Sequence, residues 1–208
     1  MVIGALAMVG AVVGPASPTG RVDADLERVA RLRAGDPEAF EAIYRAHVDA
    51  VYRRLTRILG PIAEREDLTQ DVFASLHRTL AQFRGDAALG TWIQRIAINT
   101  AYDHLRRQRS RPATVVDDRV FDELCSPAAS VESRVDARAE LARVFACLAR
   151  IKPKKRIALL LRQVDGMSFE EIGELVDATP EAVAKRVQHG QRELDALLAR
   201  PAALGRPR

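Results

Sequence analysis

Two closely spaced helix-start signals near the C-terminal end place the strongest constraint on how this chain folds. Ser168 is followed three residues later by Glu171, a capping box in which each side chain bonds a free backbone N–H of the other residue. Thr179-Pro180 begins the next helix with an N-cap residue and a first-position proline. Asp177-Ala178 leaves room only for a short turn between them. The segment therefore predicts a helix-turn-helix.

The second helix of this unit has two different faces at the helical period of 3.6 residues. Its inward face is apolar or small and consists of Val183, Val187, Gly190 and Leu194. Its outward face is basic and amide-bearing and consists of Lys185, Gln188 and Arg192, with Arg186 and His189 on the flanks. Such side chains can read base edges in the major groove, which favours DNA binding. A solvated amphipathic helix would show the same pattern.

The remaining sequence also has helical periodicity, and no segment alternates as a strand does. The pattern predicts an all-α fold of two small helical domains joined by a flexible linker. The expected divisions are a disordered leader (1–35), a first domain (36–109), an acidic linker (110–135), a helix-turn-helix domain (136–200) and a tail (201–208). Residues 140–208 carry 13 basic and 9 acidic side chains, which suits a nucleic-acid partner.

The leader and the two cysteines indicate the cellular compartment of the protein. Residues 1–20 carry no charge, so the positive segment of a secretory signal is missing, and the apolar run 1–13 is too short to span a bilayer. A membrane-anchored interaction protein is kept as an alternative. Cys125 and Cys147 have neither zinc-site spacing nor the density of a disulfide scaffold, which suits a reducing cytosol. We expect a cytoplasmic protein.

A second polar face follows the helix that begins near Thr91. Basic, amide and aromatic side chains that can hold phosphates and stack on unpaired bases lie within about 120° of one another; they are Arg95, Asn99, Tyr102, Asp103, Arg106 and Arg109. An exposed basic helix surface is the alternative explanation. The preceding small, Gly-flanked loop could leave room for a flipped base.

The sequence predicts no catalytic centre. The histidines are scattered, and the motifs of metalloproteases, P-loop proteins and serine hydrolases are missing. Asp67 and Asp71 are spaced to share a metal ion, but exposed acids on a helix are more typical of a partner-binding surface. We expect neither enzyme activity nor a metal or other cofactor.

Several linked motifs resemble bacterial RNA polymerase sigma factors of the extracytoplasmic-function (ECF) group. Region 2 of that family is matched by residues 66–73 (EDLTQDVF), 83–85 (FRG), 91–99 (TWIQRIAIN) and 103–107 (DHLRR). Residues 156–194 resemble region 4. The similarity covers about 36–109 and 136–197, in the family's order and spacing.

The resemblance implies a role in promoter-specific transcription initiation, with core RNA polymerase and promoter DNA as partners. Asp67, Gln70 and Asp71 would bind the polymerase. Binding to the −10 element would involve Arg95, Asn99, Tyr102 and Arg106, with residues 85–91 as a pocket for an extruded base and Trp92 in the core. Binding to the −35 element would involve Lys185, Arg186, Gln188, His189 and Arg192. An anti-sigma factor is a further expected partner.

The sequence departs from the family pattern within the second helix of the helix-turn-helix. Ala184 and Gln191 stand where basic residues are usual, and Gly190 replaces alanine. A plain DNA-binding regulator that never contacts polymerase is therefore the main alternative. It accounts for the helix-turn-helix but has no use for the acidic Asp67–Asp71 helix or for a single-strand surface.

Overall fold

The computed structural model describes residues 22–80, 83, 85, 87–108 and 131–200. Within these residues the regular structure is helical, with α1 (Val22–Arg33), α2 (Pro37–Leu59), α3 (Arg65–Thr79), α4 (Leu89–Gln108), α5 (Val131–Arg150), α6 (Pro153–Gln163), α7 (Phe169–Val176) and α8 (Pro180–Leu198). Most of the predicted leader and linker, the tail, Cys125 and Arg109 lie outside the described residues. Among the helices of the described part, none is long and apolar enough to cross a membrane.

Helix α2 is the central helix of the first domain. The sequence predicts its start from Asp36-Pro37, an N-cap residue followed by a first-position proline, and predicts an apolar stripe along the helix. The Asp36 carboxylate accepts a hydrogen bond from the Glu38 backbone N–H at 2.9 Å, and Pro37 occupies the first turn. The helix ends at Gly60, whose φ of +79° is a left-handed conformation that glycine adopts at little cost. Ile43, Val51 and Leu55 of the predicted apolar stripe are fully buried.

The first domain packs α1, α3 and α4 against α2. The sequence periodicity predicts a second helix at about 62–83 with five apolar residues facing inward, and all five are buried, namely Leu68, Val72, Phe73, Leu76 and Leu80. The helix is shorter than predicted because it begins at Arg65 and ends at Thr79. Phe83 then donates its backbone N–H to the Leu80 carbonyl at 3.1 Å, which turns the chain back toward the core.

Helix α1 corrects the predicted disordered leader (1–35). Val22–Arg33 is helical, with Val29 buried and Leu32 packed against the same core. Leu26, Val29 and Leu32 recur at three-residue intervals, which is the spacing of one helix face. The uncharged stretch before Arg21 is the reason that the whole segment 1–35 is predicted to be disordered. The first domain therefore begins before residue 36.

The second domain consists of α5 to α8, with α8 packed mainly on α6. Helix α6 contributes an almost continuous buried segment, Ile157 to Leu161, to its centre. Helix α5 begins at Val131, inside the predicted linker (110–135), so this boundary also needs correction.

The two helical domains are present as predicted, and they pack against each other. Helix α4 of the first domain contacts α6 and α7 of the second, and α2 contacts α6. The buried apolar residues of both domains form one continuous cluster. The sequence pattern did not predict this packing, which determines which faces of α2 and α4 are accessible.

Candidate nucleic-acid and polymerase-binding surfaces

The helix-turn-helix is formed by α7 and α8, and its first cap is the predicted capping box. The Glu171 backbone N–H donates to the Ser168 Oγ at 3.1 Å, and the Ser168 backbone N–H donates to the Glu171 carboxylate at 2.7 Å. These two bonds satisfy N–H groups that the first turn of a helix leaves without partners. Helix α7 is therefore fixed at its start although it has only eight residues.

The turn between α7 and α8 is tight and depends on Gly173. Asp177 ends α7 in the left-handed conformation with φ of +48°, and the Thr179 hydroxyl then caps α8 by accepting from the Ala182 N–H at 3.3 Å. A Cβ atom on Gly173 would lie 2.5 Å from the Ala178 carbonyl oxygen. The absence of a side chain at residue 173 lets the turn fold back onto α7.

The faces of α8 have the predicted orientation. Val183, Val187, Gly190 and Leu194 are buried against the domain. The residues that we call the basic face of α8 lie opposite them: Lys185, Gln188, His189 and Arg192 are exposed, and Arg186 is half-buried. Lys155 of α6 pairs with Glu193 at 2.5 Å and fixes the helix beside this face. The basic face is thus presented to solvent on a firmly packed helix.

The polar face of α4, defined as Arg95, Asn99, Tyr102 and Arg106, is open in some places and covered in others. Asn99 and Arg106 are exposed, whereas Arg95 and Tyr102 are half-buried. The Lys154 ammonium of the second domain lies 5.9 Å from the centre of the Tyr102 ring. The Arg95 Nε is buried and has no hydrogen-bond partner among the described residues. The second domain therefore lies against part of this face.

The chain before α4 is held in place by its neighbours. The Phe83 ring packs on Trp92 with 5.2 Å between ring centres, and the Arg33 guanidinium of α1 donates to the Phe83 carbonyl. Trp92 is half-buried and packs against the core, as expected. Arg84 and Asp86 lie outside the described residues, so the predicted base pocket at 85–91 stays a prediction.

The acidic face of α3, defined as Asp67, Gln70 and Asp71, is exposed. It lies opposite Leu68, Val72 and Phe73, which anchor α3 in the first domain. Burial of those side chains fixes the direction of the acidic face, and two carboxylates there suit a basic partner.

The contact between the domains contains a buried ion cluster that the sequence analysis missed. Arg54 and Arg57 of α2 both donate to the carboxylate of Asp165, which lies in the loop between α6 and α7. The side chains of Arg54 and Asp165 are 5% exposed and that of Arg57 is 1% exposed. Burial lowers the pKa of Arg54, the charge of Asp165 opposes this shift, and the charge of Arg57 adds to it. A sequence signal existed, since Arg54 and Arg57 stand beside the apolar residues Leu55 and Ile58, and an arginine that is buried with them requires a partner.

Two further contacts join the domains. The guanidinium of Arg156, on α6, donates to the Leu59 carbonyl at 3.0 Å, and burial lowers the pKa of Arg156 to about 10. The Phe145 ring of α5 packs so closely on Gly60 that a Cβ at residue 60 would lie 2.5 Å from it. The end of α2 is thus one of the places at which the second domain packs against the first.

Comparison with known proteins matches both domains to one family. The Sigma-70 region 2 family matches residues 43–111, and the Sigma-70 region 4 family matches residues 141–194. The first match contains the acidic face of α3 and the polar face of α4, and the second contains the basic face of α8. A plain DNA-binding regulator does not account for the region 2 match.

Individual relatives agree over most of the chain. The RNA polymerase sigma-H factor of Pseudomonas aeruginosa is 31% identical over 180 residues, which are 84% of this chain and 93% of the relative. The ECF RNA polymerase sigma-E factor of Escherichia coli K12 is 30% identical over 80% of this chain and 90% of the relative.

Solved structures show the same fold. The chain resembles CnrH in its complex with the cytosolic domain of CnrY, with a TM-score of 0.57, 25% identity, and coverage of 85% of this chain and 97% of that one. The sigma factor RpoE of Bartonella quintana, in complex with the anti-sigma factor NepR, gives a TM-score of 0.56 at 17% identity, covering 80% and 98%. The chain therefore belongs to the sigma-70 family, in its ECF group, whose members are non-enzymatic factors that direct RNA polymerase to promoters.

Proposed function

We propose that each of the three faces described above binds a different partner during transcription initiation. The acidic face of α3 binds core RNA polymerase, the polar face of α4 binds the melted −10 strand, and the basic face of α8 reads the −35 duplex. Each face belongs to the domain that performs the corresponding task in the family.

The observation that carries this proposal is the presentation of the basic face of α8. Lys185, Gln188 and Arg192 are exposed directly opposite the buried Val183 and Val187. A recognition helix needs its polar side chains free on one side and a rigid support on the other. The buried Val183, Val187 and Leu194 supply that support, and the Lys155–Glu193 pair adds a contact to α6.

The −10 and −35 elements are bound by different chemistry. Duplex DNA presents base edges in the major groove, where arginine, lysine and glutamine can form paired hydrogen bonds. A melted strand instead offers unstacked bases and phosphates, which suit Tyr102, Asn99 and Arg106. Unstacking a base costs a few kcal/mol. Polymerase contacts through α3 help to offset this cost, so the holoenzyme should bind promoters far better than the free chain.

We also propose an anti-sigma factor as a partner and the cytoplasm as the site of action. Of the two structures named above, one is CnrH with the cytosolic domain of CnrY, and the other is the sigma factor RpoE with the anti-sigma factor NepR. A partner of this kind would hold the chain away from polymerase, and polymerase itself is the reason to place the chain in the cytoplasm.

Run-off transcription tests the proposed function. Core polymerase and a pool of candidate promoters are combined with and without the chain. Promoter-specific transcripts that require both proteins support the proposal and identify the promoter. Sequence-selective duplex binding by the free chain, without any transcripts from its cognate core, would contradict it.

The docking assignment predicts the behaviour of one charge-reversal variant. Asp67→Arg combined with Asp71→Arg should lower promoter-specific transcription at least tenfold, because both substitutions place positive charge against a basic partner. Both residues are exposed, so the thermal unfolding midpoint should stay near that of the wild type. Competition for core polymerase against the unaltered chain measures the loss directly.

A matched control makes the same charge change elsewhere. Asp136→Arg combined with Asp195→Arg alters two exposed carboxylates on α5 and α8, and should keep its affinity for core polymerase. Equal losses in the two double variants would show that total charge matters and the acidic face of α3 does not.

A further inference from the structure

The Arg54–Arg57 pair is a preformed anion site. Both guanidiniums lie on α2, three residues apart, and both donate to the single carboxylate of Asp165. While the domains are packed, the site is almost completely shielded from water, which strengthens the attraction between the two arginines and Asp165. The two guanidiniums therefore converge on a single anionic group.

Guanidinium groups bind carboxylates and phosphates with the same geometry. The planar fork of N–H donors matches two oxygens of either anion, and a phosphate accepts more such bonds than a carboxylate does. A backbone phosphate could therefore replace the Asp165 carboxylate between Arg54 and Arg57 with its charge and hydrogen bonds preserved.

The position of the anion site connects it with the polar face of α4. The Arg54 Nε donates to the Gln94 Oε1 at 2.9 Å, and Gln94 directly precedes Arg95. The domain that supplies Asp165 also brings Lys154 to within 5.9 Å of the Tyr102 ring. Separation of the domains would therefore expose the anion site and the covered part of the polar face together.

We propose that Arg54 and Arg57 bind a backbone phosphate of the melted −10 strand, and that the Asp165 carboxylate occupies this site while the two domains are packed together. The inference rests on the proposed function of α4. The second domain and the DNA strand compete for one surface. The free chain is thereby kept from binding single strands, while the basic face of α8 stays open to duplex.

The test measures binding of the full chain to a fluorescent single-stranded oligonucleotide with the non-template −10 sequence of the promoter found by run-off transcription. Asp165→Asn removes the competing charge and should raise the affinity at least tenfold. Asp177→Asn is the matched control, because it removes an exposed carboxylate in the same domain at a left-handed position that asparagine tolerates. It should change the affinity less than twofold. An unchanged affinity in a folded Asp165→Asn chain would overturn the proposal.

A second variant tests the arginines. In the Asp165→Asn background, Arg54→Gln with Arg57→Gln should return the affinity to the wild-type value or below. Replacing single phosphates by neutral methylphosphonates should show one position at which the Asp165→Asn chain loses affinity and the triple variant does not. High affinity that survives in the triple variant would contradict a phosphate site at these residues.

Folding of the variants is checked by circular dichroism and does not decide the result alone. The triple variant contains none of the three buried charges and therefore leaves no buried charge without its partner. It can be assembled with core polymerase and assayed even if Asp165→Asn alone unfolds. We expect its holoenzyme to form open complexes at least tenfold more slowly than the wild type while binding −35 duplex equally well. Wild-type opening rates would overturn the proposal, whereas a wild-type holoenzyme without run-off activity would instead contradict the proposed function.

Discussion

Arg156 contributes to the contact between the domains, although burial of its charge costs free energy. Arg156 is 3% exposed, and its guanidinium donates a hydrogen bond to the uncharged Leu59 carbonyl. Burial without an opposing charge lowers the pKa of Arg156 to about 10. Removing an ion from water costs several kcal/mol unless good partners compensate. The carbonyls at the end of a helix carry partial negative charge, which makes the end of α2 a favourable place for this guanidinium.

Arg192 provides a prediction at the residue scale. Arg192→Ala removes one exposed positive charge from the basic face of α8, so it should weaken binding of the holoenzyme to promoter DNA. If the side chain contacts a phosphate, the slope of log K against log salt should become shallower by about 0.9, the contribution of one neutralised charge. Filter binding or fluorescence anisotropy at salt concentrations between about 50 and 200 mM measures the slope.

The control for Arg192 is an arginine away from the basic face. Arg150→Ala removes an exposed charge at the end of α5 and should leave the salt slope unchanged. Equal changes in both variants would mean that α8 contributes general charge and no specific contact.

Which residues point outward could be predicted, and which residues pair over long distances could not. The orientation of Val183, Val187 and Lys185 follows from the helical period, since each helix in this chain has one buried side. Asp165 pairs with arginines that precede it by more than 100 residues, and no local pattern encodes such a contact. Most of the predicted site residues are exposed, whereas Arg95, Tyr102 and Arg186 are half-buried, and the binding roles of all of them stay predictions.

At the scale of elements, caps and one glycine determine the helix-turn-helix. Helix α7 is too short to be stable by itself, because isolated helices of fewer than about 12 residues are marginal in water. It persists because Ser168 and Glu171 cap it and because Ile172 and Leu175 are buried against the domain. The relative placement of α7 and α8 then depends on how closely the turn approaches Gly173.

Gly173→Ala should therefore destabilise the second domain. The new methyl group would lie 2.5 Å from the Ala178 carbonyl oxygen, which is backbone and cannot rotate away. Overpacking of this kind costs about 1–3 kcal/mol of the free energy of unfolding. Denaturant unfolding followed by circular dichroism measures the change. Glu174→Ala, at the exposed neighbouring position, should stay within about 0.5 kcal/mol of the wild type. A Gly173→Ala variant as stable as this control would show that the turn can shift.

Helix starts with strong signals were predicted closely, and weakly marked helices were not. Asp36-Pro37, Ser168 and Thr179-Pro180 each cap the helix that they predict. Helix α1 has no such start signal, because Arg21 precedes Val22, and it follows an uncharged stretch, so its apolar residues at 26, 29 and 32 do not by themselves predict a helix. Its stability comes from tertiary packing of Val29 on α2, which propensity and capping cannot indicate.

At the scale of the whole molecule, the contact between the two domains covers part of the surface proposed to bind DNA. The polar face of α4 is the surface that the family resemblance assigns to the −10 element, and it is partly covered by α6 and α7. The interface contains three arginines and one carboxylate among the groups described above, so it is less favourable than an apolar interface of the same size. We infer that this contact can be exchanged for polymerase and DNA at moderate cost. Sequence periodicity predicts both domains, but their relative position depends on these long-range contacts.

His104 makes the stability of the packed domains depend on pH. It is half-buried on α4, and its Nε2 has no hydrogen-bond partner among the described residues. Burial lowers the pKa of His104 below its ordinary value of 6.5; the charge of Glu64 opposes the shift, and the charges of Arg107 and Arg156 add to it. These charges come from three parts of the fold, namely the segment before α3, α4 itself and α6 of the second domain.

The sign of the pH dependence follows from the lowered pKa of His104. Between its folded-state pKa and 6.5 the unfolded chain binds more protons than the folded chain, so the free energy of unfolding rises with pH in that window. Acidification from above pH 6.5 should therefore lower the thermal unfolding midpoint, and His104→Gln should reduce this loss.

Because Arg156 approaches His104 only when the domains are packed, separating the domains with Asp165→Asn should also reduce the acid-induced loss. His189→Gln, which alters an exposed histidine, should behave as the wild type. The same acid-induced loss in His104→Gln and in the wild type would mean that other groups govern it.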